Sequence, residues 1–169
     1  MGWMIVTVHI IPLLTDKGIS LQLASLVVGV FTAVGMVSQI IGGFLADRIS
    51  HRLGICLFCT SQALSMVLIA YADGTASILM FSVLFGIGYG GRSTFLSAIR
   101  GDYFGRKAFG TIIGMSLVPM TICMILGPLI IGNQFDRTGD YTISFLVTGF
   151  LTAIAGISII WAKRPQNPL

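Results

Sequence analysis

Two stretches without a single charged residue decide what this chain can fold into. Residues 18–46 and 53–72 contain no Asp, Glu, Lys or Arg. Each is long enough to cross roughly 30 Å of hydrocarbon as a helix, which takes about 20 mostly apolar residues. Between them lies Gly43-Phe44-Leu45-Ala46-Asp47-Arg48-Ile49-Ser50-His51-Arg52, short and mostly cationic where it is polar. The rest of the chain follows suit. Only 9% of its 169 residues are charged, against about 25% in a soluble domain. So few charges cannot cover a water-facing surface, and the bilayer becomes the solvent. The six acidic residues are all aspartates near the ends of apolar runs. The net charge of +4 is not gathered into a basic stripe with interleaved aromatics, so no nucleic-acid partner is expected.

Residues 1–14 are apolar but reach only some 20 Å as a helix, so they read as the last part of a span whose beginning is missing. Complete spans are expected at about 21–45, 53–72, 77–99, 108–132 and 141–162, with a second charged loop at 100–107. Runs of this length without period-2 alternation specify helices and exclude a β-barrel. The expected fold is therefore an all-α integral membrane bundle in one transmembrane domain, five full spans and one partial. Alternate loops on one side hold Arg48, Arg52, Arg100, Arg106, Lys107, Lys163 and Arg164, and the other side holds only Lys17 and Arg137. That asymmetry places both charged loops and the C-terminus in the cytoplasm, and the protein in the cell membrane. No basic region or small-residue cleavage site precedes Pro12, so no signal peptide is expected.

Arg92 is the one charge inside a span, roughly 22 Å down its helix from Ser77. An intramembrane cation either meets substrate or a gate, or snorkels and pairs structurally. Gly86, Gly90, Ser93 and Ser97 form one face of small residues on that helix, and Gly110 and Gly114 repeat the pattern; such stripes let helices approach closely in lipid. Pro119 removes a backbone hydrogen bond near the middle of the 108–135 run, and Gly127-Pro128 breaks it again. Ser116 and Thr121 either re-satisfy the freed carbonyls or touch substrate, since transporters place sites at broken helices. Gln39 and His9 are weaker candidates, each a polar residue in an apolar run. Cys56 and Cys59 have redox or metal spacing without the context either needs, and read with Cys123 as apolar packing. No carboxylate pair, Ser/His/Asp set or metal cluster appears, so neither enzyme activity nor a cofactor or metal is expected.

Gly43, Asp47, Arg48 and Arg52 resemble the signature loop of the major facilitator superfamily, G-x-x-x-D-R/K-x-G-R/K-R/K, with Ser50 in place of the second glycine and His51 in place of a base. Asp102-Tyr103-Phe104-Gly105-Arg106-Lys107, Gly127-Pro128, Phe135-Asp136-Arg137-Thr138-Gly139-Asp140-Tyr141 and His9-Ile10-Ile11-Pro12 resemble its monocarboxylate-transporter and oxalate/formate-antiporter branch. The resemblance implies the C-terminal half of a twelve-helix secondary transporter, helices 7–12, with the first helix truncated. It implies alternating access with small organic anions such as monocarboxylates as substrate. In that family the loop Asp meets the positive end of a helix in the opposite half, so the partner of Asp47 would lie in a missing N-terminal six-helix half. Members that carry carboxylates commonly have a cation in helix 8, and the 21–45 run has none. A half-size protein that dimerises, and a non-transporting membrane scaffold or receptor, are the competing readings.

Overall fold

Hydrocarbon offers no partner for a backbone N–H or C=O, so apolar runs of this length must satisfy their own backbone as helices. The computed structural model describes residues 2–72 and 74–161, apart from the side chains of 104–109, and all its regular structure is helical. The helices are α1 (Gly2–Asp16), α2 (Leu21–Ala46), α3 (His51–Ala70), α4 (Thr75–Thr138) and α5 (Thr142–Ser158), followed by a 3₁₀ turn at Ile159–Trp161.

The boundaries come from local chemistry. Ser20 and Ser50 begin α2 and α3, each side-chain oxygen accepting from the backbone N–H three residues on, Leu23 and Leu53, at 3.4 Å. This satisfies one of the donors that every helix N-terminus leaves unpaired. It also explains why serine serves at position 50, where the family pattern has glycine: the residue sits at φ −61° and works as a cap. Gly18 (φ +78°) and Gly139 (φ +68°) end α1 and α4 in the left-handed region that favours glycine.

At the start of α5 the Asp140 carboxylate accepts from the Thr142 backbone N–H at 2.9 Å and from its hydroxyl at 2.8 Å. Those two bonds, the backbone one first, hold the Asp140 carboxyl below its ordinary value. A carboxyl whose pKa is lowered on folding adds stability above its unfolded value, about 3.9, and loses it as pH falls through the folded value. Asp140→Ala is expected to cost about 1 kcal/mol at neutral pH. Asp140→Asn keeps the acceptor and is expected to blunt the loss of stability below about pH 4, read as unfolding midpoint against pH.

At α4 the described helices differ from the expected layout. Instead of two spans at 77–99 and 108–132 separated by a loop, a single helical assignment runs for 64 residues, about 96 Å if straight at 1.5 Å per residue. No proline falls in 100–107, so nothing there removes a backbone donor. The path is nevertheless not straight. Trp3 of α1 stacks on Tyr89 at 5.6 Å, and His9, six residues further along α1, lies 3.1 Å from the Pro128 carbonyl. On a straight helix Tyr89 and Pro128 would stand about 58 Å apart, too far for one short helix to touch both. Lys17 likewise donates to the Ala72 carbonyl at 3.0 Å, just before α4, while its charge reaches Asp140, just after it. α4 therefore doubles back as two arms. The first reaches Tyr103, still bonded to Arg52 of α3 at 3.0 Å, and the second arrives at Pro128. The midpoint between Thr75 and Thr138 falls inside 100–107. With the arms counted separately, the described residues form six α-helical segments.

The first arm is wedged between α2 and α3, and glycine makes both approaches possible. A Cβ on Gly86 would sit 2.6 Å from the Phe31 carbonyl oxygen, and one on Gly90 would overlap the Gly35 carbonyl, both in α2. On the next face, a Cβ on Gly88 would sit 2.7 Å from the Phe58 carbonyl of α3. The small-residue face expected on this helix is thus used at Gly86 and Gly90. Ser93 and Ser97 instead donate back within their own helix, to Gly90 and Ser93. Gly110 and Gly114 have nothing within 4 Å and make no such contact in this structure. α5 packs on α3, with Gly149 against Met66 and Gly156 against Cys59. Buried Phe31, Phe81 and Phe85 join Ile5, Ile10 and Leu14 of α1 in one apolar cluster, and Phe95, Ile55 and Cys59 form a second nearer the charged loops.

Candidate functional site

The sequence candidates fall into three places. The first is the charged end of the bundle. Gly43, in the last turns of α2, has open space around it, and Asp47 and Arg48 are exposed on the turn that follows. Asp47 lines a shallow trough of about 530 Å³ with Phe44 of α2 and Thr94, Ser97 and Ala98 of the first arm. Beside it the α2–α3 turn is tied to the end of the first arm. His51 Nδ1 lies 3.6 Å from Asp102 Oδ2, and Arg52 Nε donates to the Tyr103 hydroxyl at 3.0 Å. The two charged segments expected on one membrane face are therefore adjacent in space. Arg106 and Lys107 lie outside the described side chains, and so do Lys163 and Arg164. Where the family pattern has a base, His51 makes an acid contact of its own. By contrast, no described residue makes an ion pair or hydrogen bond with the Asp47 carboxylate.

The second place is Arg92. It does not face α2. Its side chain turns to the opposite side of the first arm, where it lines a cavity of about 200 Å³ with Gly2 of α1 and Thr148, Leu151, Thr152 and Ala155 of α5. Its Nε is buried with no hydrogen-bond partner. Gln62 of α3, fully buried, lies behind the cavity wall and does not line the cavity: a Cβ built on Gly2 would stand 3.6 Å from its Nε2 and 3.7 Å from the Thr148 methyl. Gln62 was missed in the sequence. The signal was there, since it is a polar residue in an uncharged run, as Gln39 and His9 are.

The remaining candidates do not gather. His9 is buried, bonds the Pro128 carbonyl at 3.1 Å and packs on the Tyr141 ring at 5.5 Å, so it ties α1 to the second arm. Gln39 is exposed on α2, where its backbone carbonyl accepts from the Thr94 hydroxyl at 3.2 Å. Ser116 donates to the Ile112 carbonyl at 2.7 Å. That is not the carbonyl freed by Pro119, which is Met115, four residues before it. Thr121 is exposed. Gly127 is buried and Pro128 half-buried where the second arm meets α1.

What remains uncovered is apolar. On α2 Met36, Val37, Ile40, Ile41 and Phe44 are 51–70% exposed, and only 6% of the most apolar window of 110–138 is buried. Among the described residues, four stretches have the length and hydropathy to cross a membrane: Leu21–Ala46, His51–Ala70, Gly110–Thr138 and Thr142–Trp161. The Major Facilitator Superfamily profile matches residues 1–169, the full length given. The chain belongs to the major facilitator superfamily.

Within the superfamily its relatives are transporters. It is 26% identical over 163 residues to monocarboxylate transporter 2 of Mesocricetus auratus, covering 93% of this chain and 33% of that protein. It is 28% identical over 169 residues to monocarboxylate transporter 12 of Xenopus laevis, covering 95% and 37%. It is 23% identical over 164 residues to monocarboxylate transporter 2 of Homo sapiens, covering 95% and 34%. The chain spans about a third of the length of these relatives. It is a multi-pass membrane protein of a transporter family, and the monocarboxylate branch suggested by its motifs is the one to which it is similar.

Proposed function

We propose that this chain is the C-terminal six-helix half of a secondary transporter that moves small organic anions, monocarboxylates foremost, by alternating access. The observation that carries the proposal is Asp47: an exposed carboxylate at the foot of α2 with no partner among the described residues, beside a trough and below the exposed apolar faces of α2 and the second arm. A carboxylate in that position suits the positive end of a helix from an N-terminal half. The exposed apolar faces suit helices or lipid rather than water. The charged loops and the C-terminus are assigned to the cytoplasm, where an excess of Lys and Arg is retained.

Of the interior candidates, Gln39, with its side chain on the exposed surface of α2, and Thr121, on the second arm, are assigned to the passage between halves. Arg92 faces away from that passage and is not. Pro119, Gly127 and Pro128 are assigned to bending of the second arm during the cycle, and Arg48, Arg52, Asp102, Arg106 and Lys107 to closing the cytoplasmic side.

The test supplies an N-terminal six-helix half in the same vesicle membrane and follows uptake of labelled small monocarboxylates. Uptake above that of either half alone is expected. Asp47→Asn is expected to slow it roughly five-fold, the effect of about 1 kcal/mol lost between a charge and a helix end. Folded, paired halves that move no carboxylate faster than empty vesicles would overturn the reading.

A further inference from the structure

The two charged segments at one end of the bundle are held together by two ties of different kinds. Arg52 Nε donates to the Tyr103 hydroxyl at 3.0 Å. A guanidinium keeps its charge and its donors at any pH a protein meets, so this tie is permanent. His51 Nδ1 stands 3.6 Å from Asp102 Oδ2. That is too long for a hydrogen bond. The attraction is therefore Coulombic, and it exists only while the imidazole is protonated.

The imidazole is held in place to act as a switch. His51 opens α3 directly after the Ser50 cap, and its ring packs on the buried Phe95 ring with 6.0 Å between centroids. Its side chain is 24% exposed, so protons reach it, and that of Asp102 is 60% exposed. The charged and titratable groups around it are Asp47, Arg48 and Arg52 on its own turn and helix, and Arg100, Asp102 and Tyr103 at the end of the first arm. Asp102 and Tyr103 have further contacts of their own. In the cluster beneath, α3 contributes the Cys59 thiol and the 3₁₀ turn after α5 the apolar Ile159. Imidazole is the side chain whose ordinary charge change falls between pH 5 and 8. Carboxylates ordinarily titrate near about 4, phenols near about 10 and guanidinium above about 12, so those six neighbours keep their charge states across that range. An arginine or lysine at position 51 would make both ties permanent. Histidine makes one of them depend on pH.

We propose that His51 is a proton-operated tie between the α2–α3 turn and the end of the first arm. Protonated, it pins the turn that carries Asp47 against Asp102. Neutral, it leaves that turn on the Arg52–Tyr103 bond alone. The turn therefore tightens as the local pH falls through the imidazole range and loosens as it rises. The tie lies within this chain and needs no second half. Its consequence for a gate at Asp47 rests on the transport reading above.

The test uses the 169-residue chain in lipid nanodiscs, with Cys56, Cys59 and Cys123 replaced by alanine. A nitroxide label is placed at Arg48→Cys, an exposed position next to Asp47. The ratio of mobile to immobile label is read from the spectrum at about pH 5.5 and about pH 8, on either side of the imidazole range. A partly exposed ion pair is weak, so the ratio is expected to rise roughly 1.5- to 5-fold between the two.

His51→Arg, with a charge that pH does not remove, is expected to hold the ratio low at both. His51→Phe keeps a ring against Phe95 but carries no charge, and is expected to give the high ratio at both. Asp102→Asn removes the other charge and is expected to do the same, so it decides should His51→Phe not fold. A merely structural histidine would show no pH response for the uncharged ring to abolish. The proposal is overturned if the parent ratio does not change with pH, if the change survives in His51→Phe or Asp102→Asn, or if it persists in His51→Arg.

Discussion

Gly90→Ala is expected to loosen the contact between α2 and the first arm of α4 and to destabilise the bundle by about 3 kcal/mol, the upper end of what overpacking normally costs. The atom that the new methyl would overlap is the carbonyl oxygen of Gly35, with the Gly35 Cα 3.0 Å away. Backbone cannot rotate aside as a side chain does, so the two helices must separate. The separation would extend along the crossing, because Gly86 against the Phe31 carbonyl and Gly42 against the Gly91 Cα, 3.2 Å from a built Cβ, belong to the same seam. In lipid there is no hydrophobic force between helices to oppose this, only close packing and interhelical hydrogen bonds. One such bond, from the Ser38 hydroxyl to the Ile87 carbonyl at 2.9 Å, crosses the same seam and would be stretched. The measurement is the unfolding midpoint in a denaturing-detergent titration. Gly43→Ala is the control: nothing lies within 4 Å of its position, so it is expected to stay within about 0.5 kcal/mol of the parent.

The second large effect is a reversal of sign. Phe95, fully buried, fills the space that a side chain on Gly54 would need, and a Cβ there would overlap the ring. Phe58 at 5.5 Å and His51 at 6.0 Å between ring centroids pack around the same ring. Gly54→Ala is therefore expected to cost about 1–3 kcal/mol by overpacking. Phe95→Ala is expected to cost about 2–3 kcal/mol, below the 3–5 usual in water-soluble cores. The lost packing remains, but little transfer free energy is lost in lipid. In the Phe95→Ala background, Gly54→Ala fills part of the hole and is expected to stabilise. A double-mutant cycle on unfolding free energies checks this, and additive costs would contradict the packing described.

The contrast between these two sites shows what the sequence disclosed. The pair Gly86 and Gly90 was legible, because four-residue spacing of small residues in an apolar run has a mechanism: one helical face on which backbones can meet. Gly54 was not, because nothing local says that a phenylalanine 41 residues away in the chain will occupy its side. Gly110 and Gly114 have the same spacing as the working pair and meet nothing. Spacing shows that a face can be approached, not that a neighbour is there.

Arg92 divides in the same way. That a cation lay deep in a span followed from position alone. Which way it turned did not, since its direction depends on α2 and α3 occupying the glycine faces and leaving α1 and α5 the remaining side. Gln62 became notable only when the structure left its amide unpaired.

By itself the sequence determined the solvent, the helical class, the number of segments and the signature loop, because these follow from run length, charge and motif, which are local quantities. The tertiary structure decided that the 64-residue helix doubles back, that the two charged segments join through His51–Asp102 and Arg52–Tyr103, and that Arg92 lines a cavity against α5 while Asp47 stands exposed. Those facts depend on which helices are neighbours. In lipid, neighbours are chosen by shape and hydrogen bonding between distant residues, and no stretch of chain carries that information alone.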